Sequence, residues 1–537
     1  MNEIHALHGA PKSRCTFAII SHPDAGKTTM TEKILWFGSV IRQAGMVKSK
    51  HGNFAKSDWM ELEKERGISV SSSVLSFDYM ERALHLLDTP GHKDFSEDTY
   101  RTLTAVESCM MMIDSAKGVE AQTIKLMDVC RMRATPIVTF MNKYDRDALD
   151  PYALLENVET ILHIHCTPMT WPIGDGVDFK GVYDIVHKQI YMFDEETDPR
   201  TPHILAAHNL DAPEVVAYVG DTLLTKLKHD LEMVSELLPP FDRGDFLAGM
   251  LTPVFFGSAL HNFGVKEVID FITDFCPGPK PRMASLFPYT PEAPTKEISP
   301  EDPTFSGFVF KIQANMDKRH RDRVAFLRVI SGRFKRGQRI FNTREQKEVK
   351  ISTPLIFQAR DREITEEAFP GDIIGLTGRY AIGDTFTEGE LLKFSGIPSF
   401  APEIFVKVNL KDPMKAKQLE KGLRQLAEEG TVQLFTRHTF NEKILGAVGM
   451  LQFEVVKYRL EDEYNVLGEY TPYPFIGMRW VKFTDEKQQD KFIESNSNNI
   501  VYDLKGRPCF AVRSEWDLKL VQDKNPDVQF FKNSDYL

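Results

Sequence analysis

The stretch TFAIISHPDAGKTTMTEKILWF, residues 16–37, most constrains what this chain can fold into. Thr16 to Ile20 form a short apolar run of strand formers, and from Lys27 onward Met30, Ile34, Leu35 and Phe37 recur at helical spacing. The pattern predicts strand, loop and helix in immediate succession. In that arrangement the loop N–H groups and the exposed helix N-terminus converge on an anion, and the helix dipole adds favourable partial charge. A phosphate-cradling loop of this kind reads glycine, four residues, Gly-Lys, then Ser or Thr. Gly26, Lys27 and Thr28 match, whereas Ser21 stands where glycine is usual. Gly26 would let the backbone approach phosphate, Lys27 would reach the terminal phosphates, and the Thr28 hydroxyl would hold magnesium. Ser21 is small enough to permit the bend, at some cost in backbone freedom. Average composition gives roughly a few per cent of chains this long the relaxed pattern somewhere, so other motifs must support it.

Three further stretches follow in the order a guanine-nucleotide site requires. ALHLLDTPGH, residues 83–92, reads as a strand ending in Asp88, with Gly91 three residues on. Asp88 at a strand end can reach a magnesium shell, and Gly91 leaves its N–H for the terminal phosphate. PIVTFMNKYD, residues 136–145, is a β-rich run that delivers Asn142, Lys143 and Asp145. The Asp145 carboxylate can accept from guanine N1–H and the exocyclic amine, where adenine offers the wrong donors. TPVFFGSAL, residues 252–260, opens into Gly257, Ser258 and Ala259, small residues whose N–H groups are expected to approach the guanine carbonyl edge. Each stretch alone reads equally well as an ordinary turn after a strand. In one order and each after a β run, the four point to one pocket, with Ser21 as a tolerated variant.

With these motifs the chain resembles the translational GTPases, in which HPDAGKTT, ERGIS, DTPGH and NKYD stand in this order and form. Within them, AKSDWMELEKERGIS (55–69), DFSEDTYRTLTAVESC (94–109) and FVFKIQANMDKRHRDRVAFLRV (308–329) resemble the bacterial class II release factors, peptide chain release factor three. The resemblance implies GTP or GDP and Mg2+ as ligands. It implies a loop of Ser21, His22, Pro23, Asp24, Ala25, Gly26, Lys27, Thr28 and Thr29, and a second switch of Asp88, Thr89, Pro90, Gly91 and His92. Asn142, Lys143, Asp145, Ser258 and Ala259 complete the implied nucleotide pocket, and Thr28, Ser69 and Asp88 the metal set. Most relatives have Thr where Ser69 follows Arg-Gly-Ile; a serine still offers a hydroxyl. His92 matches the histidine that positions the attacking water, and positioning rather than general-base chemistry is its expected role, because orientation and charge neutralisation carry this reaction.

A chain of 537 residues exceeds one core and suggests about three domains. Proline density in CPGPKPRMASLFPYTPEAPTKEISPEDPTF, residues 276–305, marks a stiff connector. The expected division is a GTP-binding domain at 1–280, a Pro-rich linker at 281–304, a β-barrel domain at 305–395 and an α+β domain at 396–537. Short β runs with Gly turns predict the barrel. IFVKVNL, KAKQLEKGLRQLAEE, TVQLF, ILGAVG and MLQFEVVKYRLEDEY predict a split βαβ, ferredoxin-like sandwich, similar to the third domain of the ribosomal translocase. The fold class expected is therefore multidomain α/β, opening with a P-loop GTPase domain, and no long internal repeat stands out.

The six cysteines, at 15, 109, 130, 166, 276 and 509, lack paired spacing and read as free thiols in a reducing cytoplasm. No apolar run approaches a membrane span, and the N-terminus lacks a signal-peptide core. The net charge of −11 discourages nucleic-acid binding, yet residues 311–350 carry thirteen Lys and Arg against four Asp and Glu, including KRHRDR at 318–323. That stretch is expected to meet ribosomal RNA phosphates, or else to be a solvated hairpin face. The resemblance implies a cytoplasmic monomer acting with the bacterial ribosome and its codon-reading release factors. The alternatives are the translocase, whose relatives continue into two further domains, and a GTP-binding module that regulates without turnover. An ATP-dependent enzyme conflicts with Asn142 and Asp145.

Overall fold

The computed structural model describes residues 14–38, 63, 69–193, 203–289, 293–314, 323–358, 361–397, 401–437 and 442–532. Its first region is a seven-stranded sheet of β1 (Arg14–Ser21), β2 (Ser73–Tyr79), β3 (Arg82–Asp88), β4 (Ser108–Asp114), β5 (Ile137–Asn142), β6 (His165–Pro168) and β7 (Leu251–Phe256). The order is β2-β3-β1-β4-β5-β7-β6, with β2 antiparallel to β3 and the other pairs parallel. β1, β4, β5 and β7 are buried along their whole length, as parallel strands covered on both faces are. Along β1, Cys15, Phe17 and Ile19 enter one core cluster while Ala18 and Ile20 enter the cluster on the opposite face. The C-terminal ends of β1, β3 and β5 bring Ser21, Asp88 and Asn142 to one edge, the crevice where open α/β sheets bind ligands.

Between β6 and β7 the chain inserts a four-stranded antiparallel sheet (Thr170–Ile173, Gly181–Asp184, Gln189–Met192, Ile204–Ala206), followed by helices Pro213–Val219 and Asp221–Leu237. Sequence patterning did not separate this insert. The expected connector is also more ordered than a stiff tether: Arg282–Leu286 and Thr295–Ile298 pair with each other, and the first pairs with Leu392–Phe394. These two segments are proline-free runs within the proline-rich stretch, so their N–H groups remain available to a ladder.

The second region is an eight-stranded antiparallel sheet built around the long hairpin β8 (Ser306–Ala314) and β9 (Arg323–Ser331). Ile340, near one end of the strand order, shares a buried cluster with Val309, Leu327 and Ile374, so the sheet curls around a single core.

The third region repeats in its topology, although no long repeat stands out in its sequence. Its strands are β10 (Ile404–Leu410), β11 (Gln433–Arg437), β12 (Lys443–Ala447), β13 (Gly468–Pro472), β14 (Gly477–Lys482), β15 (Ile500–Tyr502), β16 (Pro508–Val512) and β17 (Gln529–Phe531). They form one antiparallel sheet in the order β13-β10-β12-β11-β15-β16-β14-β17. With α1 the phosphate-loop helix (Lys27–Phe37) and α2 the helix Ser96–Leu103, the helices here are α3 (Ala416–Glu428), α4 (Met450–Tyr464), α5 (Glu486–Ser495) and α6 (Glu515–Lys524). Each half therefore reads β-α-β-β-α-β, and the halves join edge to edge through β11 and β15. Leu423, Leu426, Val456 and Leu460 of α3 and α4 cover one face of the first half. The face without helices carries Phe405, Phe435 and Ile444, which share a cluster with Met478, Trp480 and Val501 of the second half.

The regions meet through buried ion pairs. Arg14 Nε and His85 Nε2 lie 2.6 and 3.0 Å from Asp372 Oδ1 of the second region. Lys311 Nζ of β8 donates to Ser72 O at 2.6 Å and lies 3.1 Å from Asp98 Oδ2 of α2. Arg328, buried on β9, pairs with Glu107 and donates to Thr16 Oγ1 at 2.6 Å.

Candidate functional site

A cavity of about 600 Å3 opens at the crevice edge, lined by Ser21, His22, Pro23, Asp24, Gly26, Lys27, Thr28, Thr29, Ser69, Gly91, His92, Asn142, Lys143, Asp145, Arg146, Ser258 and Leu260. All four motifs read from the sequence contribute to it. Gly26 is the residue before α1 and has φ 96°, a left-handed backbone that favours glycine, and a Cβ there would collide with the Asn142 amide. No side chain caps the N-terminus of α1, and its first turn holds no acidic residue, so its positive end faces the cavity unopposed. Ser21 is the last residue of β1 and is not among the positive-φ positions; the left-handed turn falls at Asp24, φ 66°. Its backbone therefore makes no demand that serine fails to meet.

Several polar atoms around the cavity lack hydrogen-bond partners although buried: Ser21 Oγ, His22 Nδ1, Asp88 Oδ2, Asp145 Oδ1 and Ser258 Oγ. Leaving such groups unsatisfied costs about 1–3 kcal/mol each, a cost that a polar ligand in the cavity would relieve. Lys27 Nζ pairs with Asp88 Oδ1, both nearly fully buried. Among the described residues no group of three or more His, Cys, Asp or Glu side chains could hold a metal ion. Magnesium does not need one, because it keeps waters and phosphate oxygens and takes one or two carboxylates, a set that the Thr28 and Ser69 hydroxyls and Asp88 fit.

Other predicted residues brace the cavity, Asn142 and Lys143 while also lining it. Asn142 donates from Nδ2 to Ala25 O at 2.7 Å and accepts at Oδ1 from Ala259 N–H at 2.9 Å, tying the phosphate loop to the base loop. Ala25 and Ala259 are buried in the core behind. The expectation that backbone N–H groups of 257–259 approach guanine is corrected here. Gly257 N–H donates to Met141 O, Ser258 N–H to Phe263 O and Ala259 N–H to Asn142, which leaves the Ser258 hydroxyl as the polar group offered by that turn. Thr89 Oγ1 donates to Ile19 O at 2.7 Å and Pro90 O accepts from Thr99 Oγ1 at 3.1 Å, anchoring both ends of the loop before His92. The Lys143 ammonium sits 2.6 Å from Asp114 Oδ2. Asp114 was missed by sequence reading, although it ends the apolar run of β4 as Asp88 ends β3.

His92 is about 30% exposed at the cavity wall, and its Nδ1 accepts from Asp94 N–H at 3.2 Å. Ser69 follows residues 64–68, most of the ERGIS motif, which lie outside the described residues. Val70 and Ser71 donate backbone N–H groups to Glu63 Oε1 at 2.9 and 3.3 Å.

Among its described residues the basic stretch is largely neutralised from within the chain. Residues 315–322 lie outside the described residues. Lys311 and Arg328 are buried against other regions, and Arg323, Arg333, Arg336, Arg344 and Lys347 each face a carboxylate. A count of charges along the sequence could not show this. No helix among the described residues is long and apolar enough to cross a membrane.

Comparison with known proteins agrees with this geometry. Residues 12–278 match the Elongation factor Tu GTP binding domain, residues 304–389 match Elongation factor G domain 2, and residues 394–522 match Class II release factor RF3, C-terminal domain. A crystal structure of a protein from Thermus thermophilus resembles the chain with a TM-score of 0.68 at 22% identity, over 89% of this chain and 71% of that one. That likeness is one of fold, a GTPase domain followed by sheet-rich domains. A GTP-binding domain joined to a release-factor C-terminal region places the chain in the class II release factor RF3 family, among the translational GTPases.

Proposed function

We propose that the chain is the ribosome-dependent GTPase of translation termination that promotes dissociation of codon-reading release factors after peptide release, stimulating termination and recycling those factors. It would act as a monomer in the cytoplasm, on the bacterial ribosome. In this reading residues 1–280 handle the nucleotide, 281–304 connect, and the units at 305–395 and 396–537 face the ribosome. The observation that carries it is the single cavity in which Lys27, Thr28, Ser69, Gly91 and His92 converge with Asp145 and Ser258.

Asp145 selects guanine, because its unpartnered carboxylate oxygen accepts from donors that adenine lacks. Lys27 and the N-terminus of α1 hold the phosphates, and Gly91 N–H meets the terminal one. Bound magnesium would neutralise phosphate charge, held by Thr28, Ser69 and Asp88. His92 orients the attacking water in line with the terminal phosphate, and a ribosomal RNA loop fixes its side chain for that task.

His92→Ala tests this. GTP and ribosome binding should be kept, while ribosome-stimulated hydrolysis falls on the order of 10²-fold or more, and the free protein is slow with either residue. Rapid-mixing measurement of phosphate release, with and without ribosomes, reads both. Equal stimulation of variant and parent would remove His92 from the mechanism.

A further inference from the structure

The helix α4 of the third region begins against the loop that carries His92. Leu451 N–H, in its first turn, donates to Asp94 Oδ2 at 2.9 Å. Gly449, the residue before that helix, lies so near that a Cβ there would collide with the Asp94 carboxylate. On its other side Asp94 meets the imidazole: its N–H donates to Nδ1, and its Oδ1 lies 3.4 Å from the same nitrogen. Val70 and Phe95 pack with Val455 of α4 beside this contact. Asp94 is itself buried. One residue thus bonds the ring at the cavity wall through its backbone N–H and the start of a helix more than 350 residues away in sequence through its carboxylate.

The contact has a physical direction. First-turn N–H groups of a helix have no partner inside the helix, and a carboxylate there is further favoured by the helix dipole. Seating α4 therefore fixes the Asp94 carboxylate, and with it the backbone N–H of the same residue that donates to His92 Nδ1. With Nδ1 engaged, Nε2 is the nitrogen left for a water in the cavity.

We propose that Asp94 is a positioning residue that couples the seating of the C-terminal region on the GTPase domain to the orientation of His92. The inference rests on His92 being the water-positioning group. When α4 is seated the ring presents Nε2 to the cavity; when α4 withdraws, Asp94 loses its helix partner and the ring is no longer held. The rate of hydrolysis then reports where the C-terminal region sits, through a residue that touches neither nucleotide nor metal.

Gly449→Ala isolates the contact. The backbone there is extended, φ −142° and ψ 160°, so alanine fits without strain and its methyl group acts on Asp94. Single-turnover GTP hydrolysis on ribosomes is compared for the parent, Gly449→Ala, Asp94→Ala, Asp94→Asn, the Gly449→Ala/Asp94→Ala pair and His92→Ala, each with a GTP titration and a melting curve. Gly449→Ala and Asp94→Ala should each slow hydrolysis about tenfold with GTP affinity within about twofold of the parent. Combining them should be no slower than Asp94→Ala alone, because both act through one contact. Asp94→Asn should recover part of the rate, since its amide oxygen can still accept from Leu451 N–H. A parental or faster rate for Gly449→Ala, beside a slow His92→Ala, overturns the coupling and leaves the role of His92 standing. A parental rate for His92→Ala removes the reading beneath it. If Gly449→Ala does not fold, the Asp94 pair decides: an Asp94→Ala rate equal to the parent, or no recovery in Asp94→Asn, overturns the proposal.

Discussion

The nucleotide cavity and the junction beneath it use the same side-chain chemistry and differ in how far it is completed within the chain. At the junction, Asp372 holds both Arg14 and His85, and Asp98 holds Lys311 together with the N–H and hydroxyl of Ser72 at 2.5 and 2.7 Å. In the cavity, Asp88 and Asp145 each keep one buried oxygen without a partner, and two serine hydroxyls are in the same state. Burying a polar group unpaired costs about as much as the hydrogen bond it lacks. The Asp372 and Asp98 pairs are completed by folding, although Glu107 Oε2 at the same junction has no partner; the cavity gathers several such atoms in one place.

The largest break in that contrast comes from Lys27→Ala. It deletes the cation facing the phosphates and leaves Asp88 uncompensated, so GTP affinity should fall on the order of 10³-fold, the scale of breaking a buried charged pair. The variant should still fold, with a lowered melting temperature from the uncompensated Asp88, and equilibrium titration beside a melting curve reads both. Near-parental affinity would mean that the cavity is not a phosphate site.

Asp145→Asn sharpens the contrast at the base end. GTP affinity should drop on the order of 10²-fold, since two hydrogen bonds to a charged acceptor are lost. Xanthosine triphosphate should gain, because the amide can donate to the oxygen that xanthine carries in place of the amine. A competition titration with both nucleotides checks the reversal.

The junction should respond through stability instead. Burial alone would raise the Asp372 carboxyl, but the His85 hydrogen bond and the Arg14 guanidinium hold it at about 2. A carboxyl lowered on folding adds stability that is complete above its unfolded value of about 4 and fades as pH falls through about 2. Asp372→Asn should therefore cost about 2 kcal/mol at pH 7, with the difference from the parent narrowing between pH 4 and pH 2. Urea unfolding across that range measures it, and nucleotide affinity should stay unchanged. A loss of GTP binding without a loss of stability would erase the distinction between the two regions.

How much of this was legible depends on the distance over which each feature is specified. The strand, loop and helix around Gly26 are written within twenty-two residues, and the structure places them as read. The pocket residues after β3 and β5 were legible for the same reason, since each motif directly follows its strand. Asn142 lines the cavity, but its ties to Ala25 and Ala259 were not legible, because those partners come from two loops more than a hundred residues away on either side. Likewise nothing in KRHRDR or its neighbours tells which cations turn inward to Asp98 or Glu107. The second β-α-β-β-α-β unit escaped because its strands are short, β15 and β17 spanning three residues each, and because a strand order of this kind is set by pairing rather than by local pattern. Asp94 carries no sequence signal for its contact with α4, which exists only once the third region is in place.

The joined halves of the C-terminal sheet have a mechanical consequence. Among the described residues, Thr436 with Tyr502 and Arg437 with Val501 are the pairs across the seam, a hinge-length contact if it stood alone. Phe405, Phe435 and Ile444 are nevertheless sealed against Met478, Trp480 and Val501, so the halves cannot swing apart without wetting both apolar faces. A load placed on α5 or α6 would therefore be borne by both halves together, including the half whose α4 meets Asp94 in its first turn.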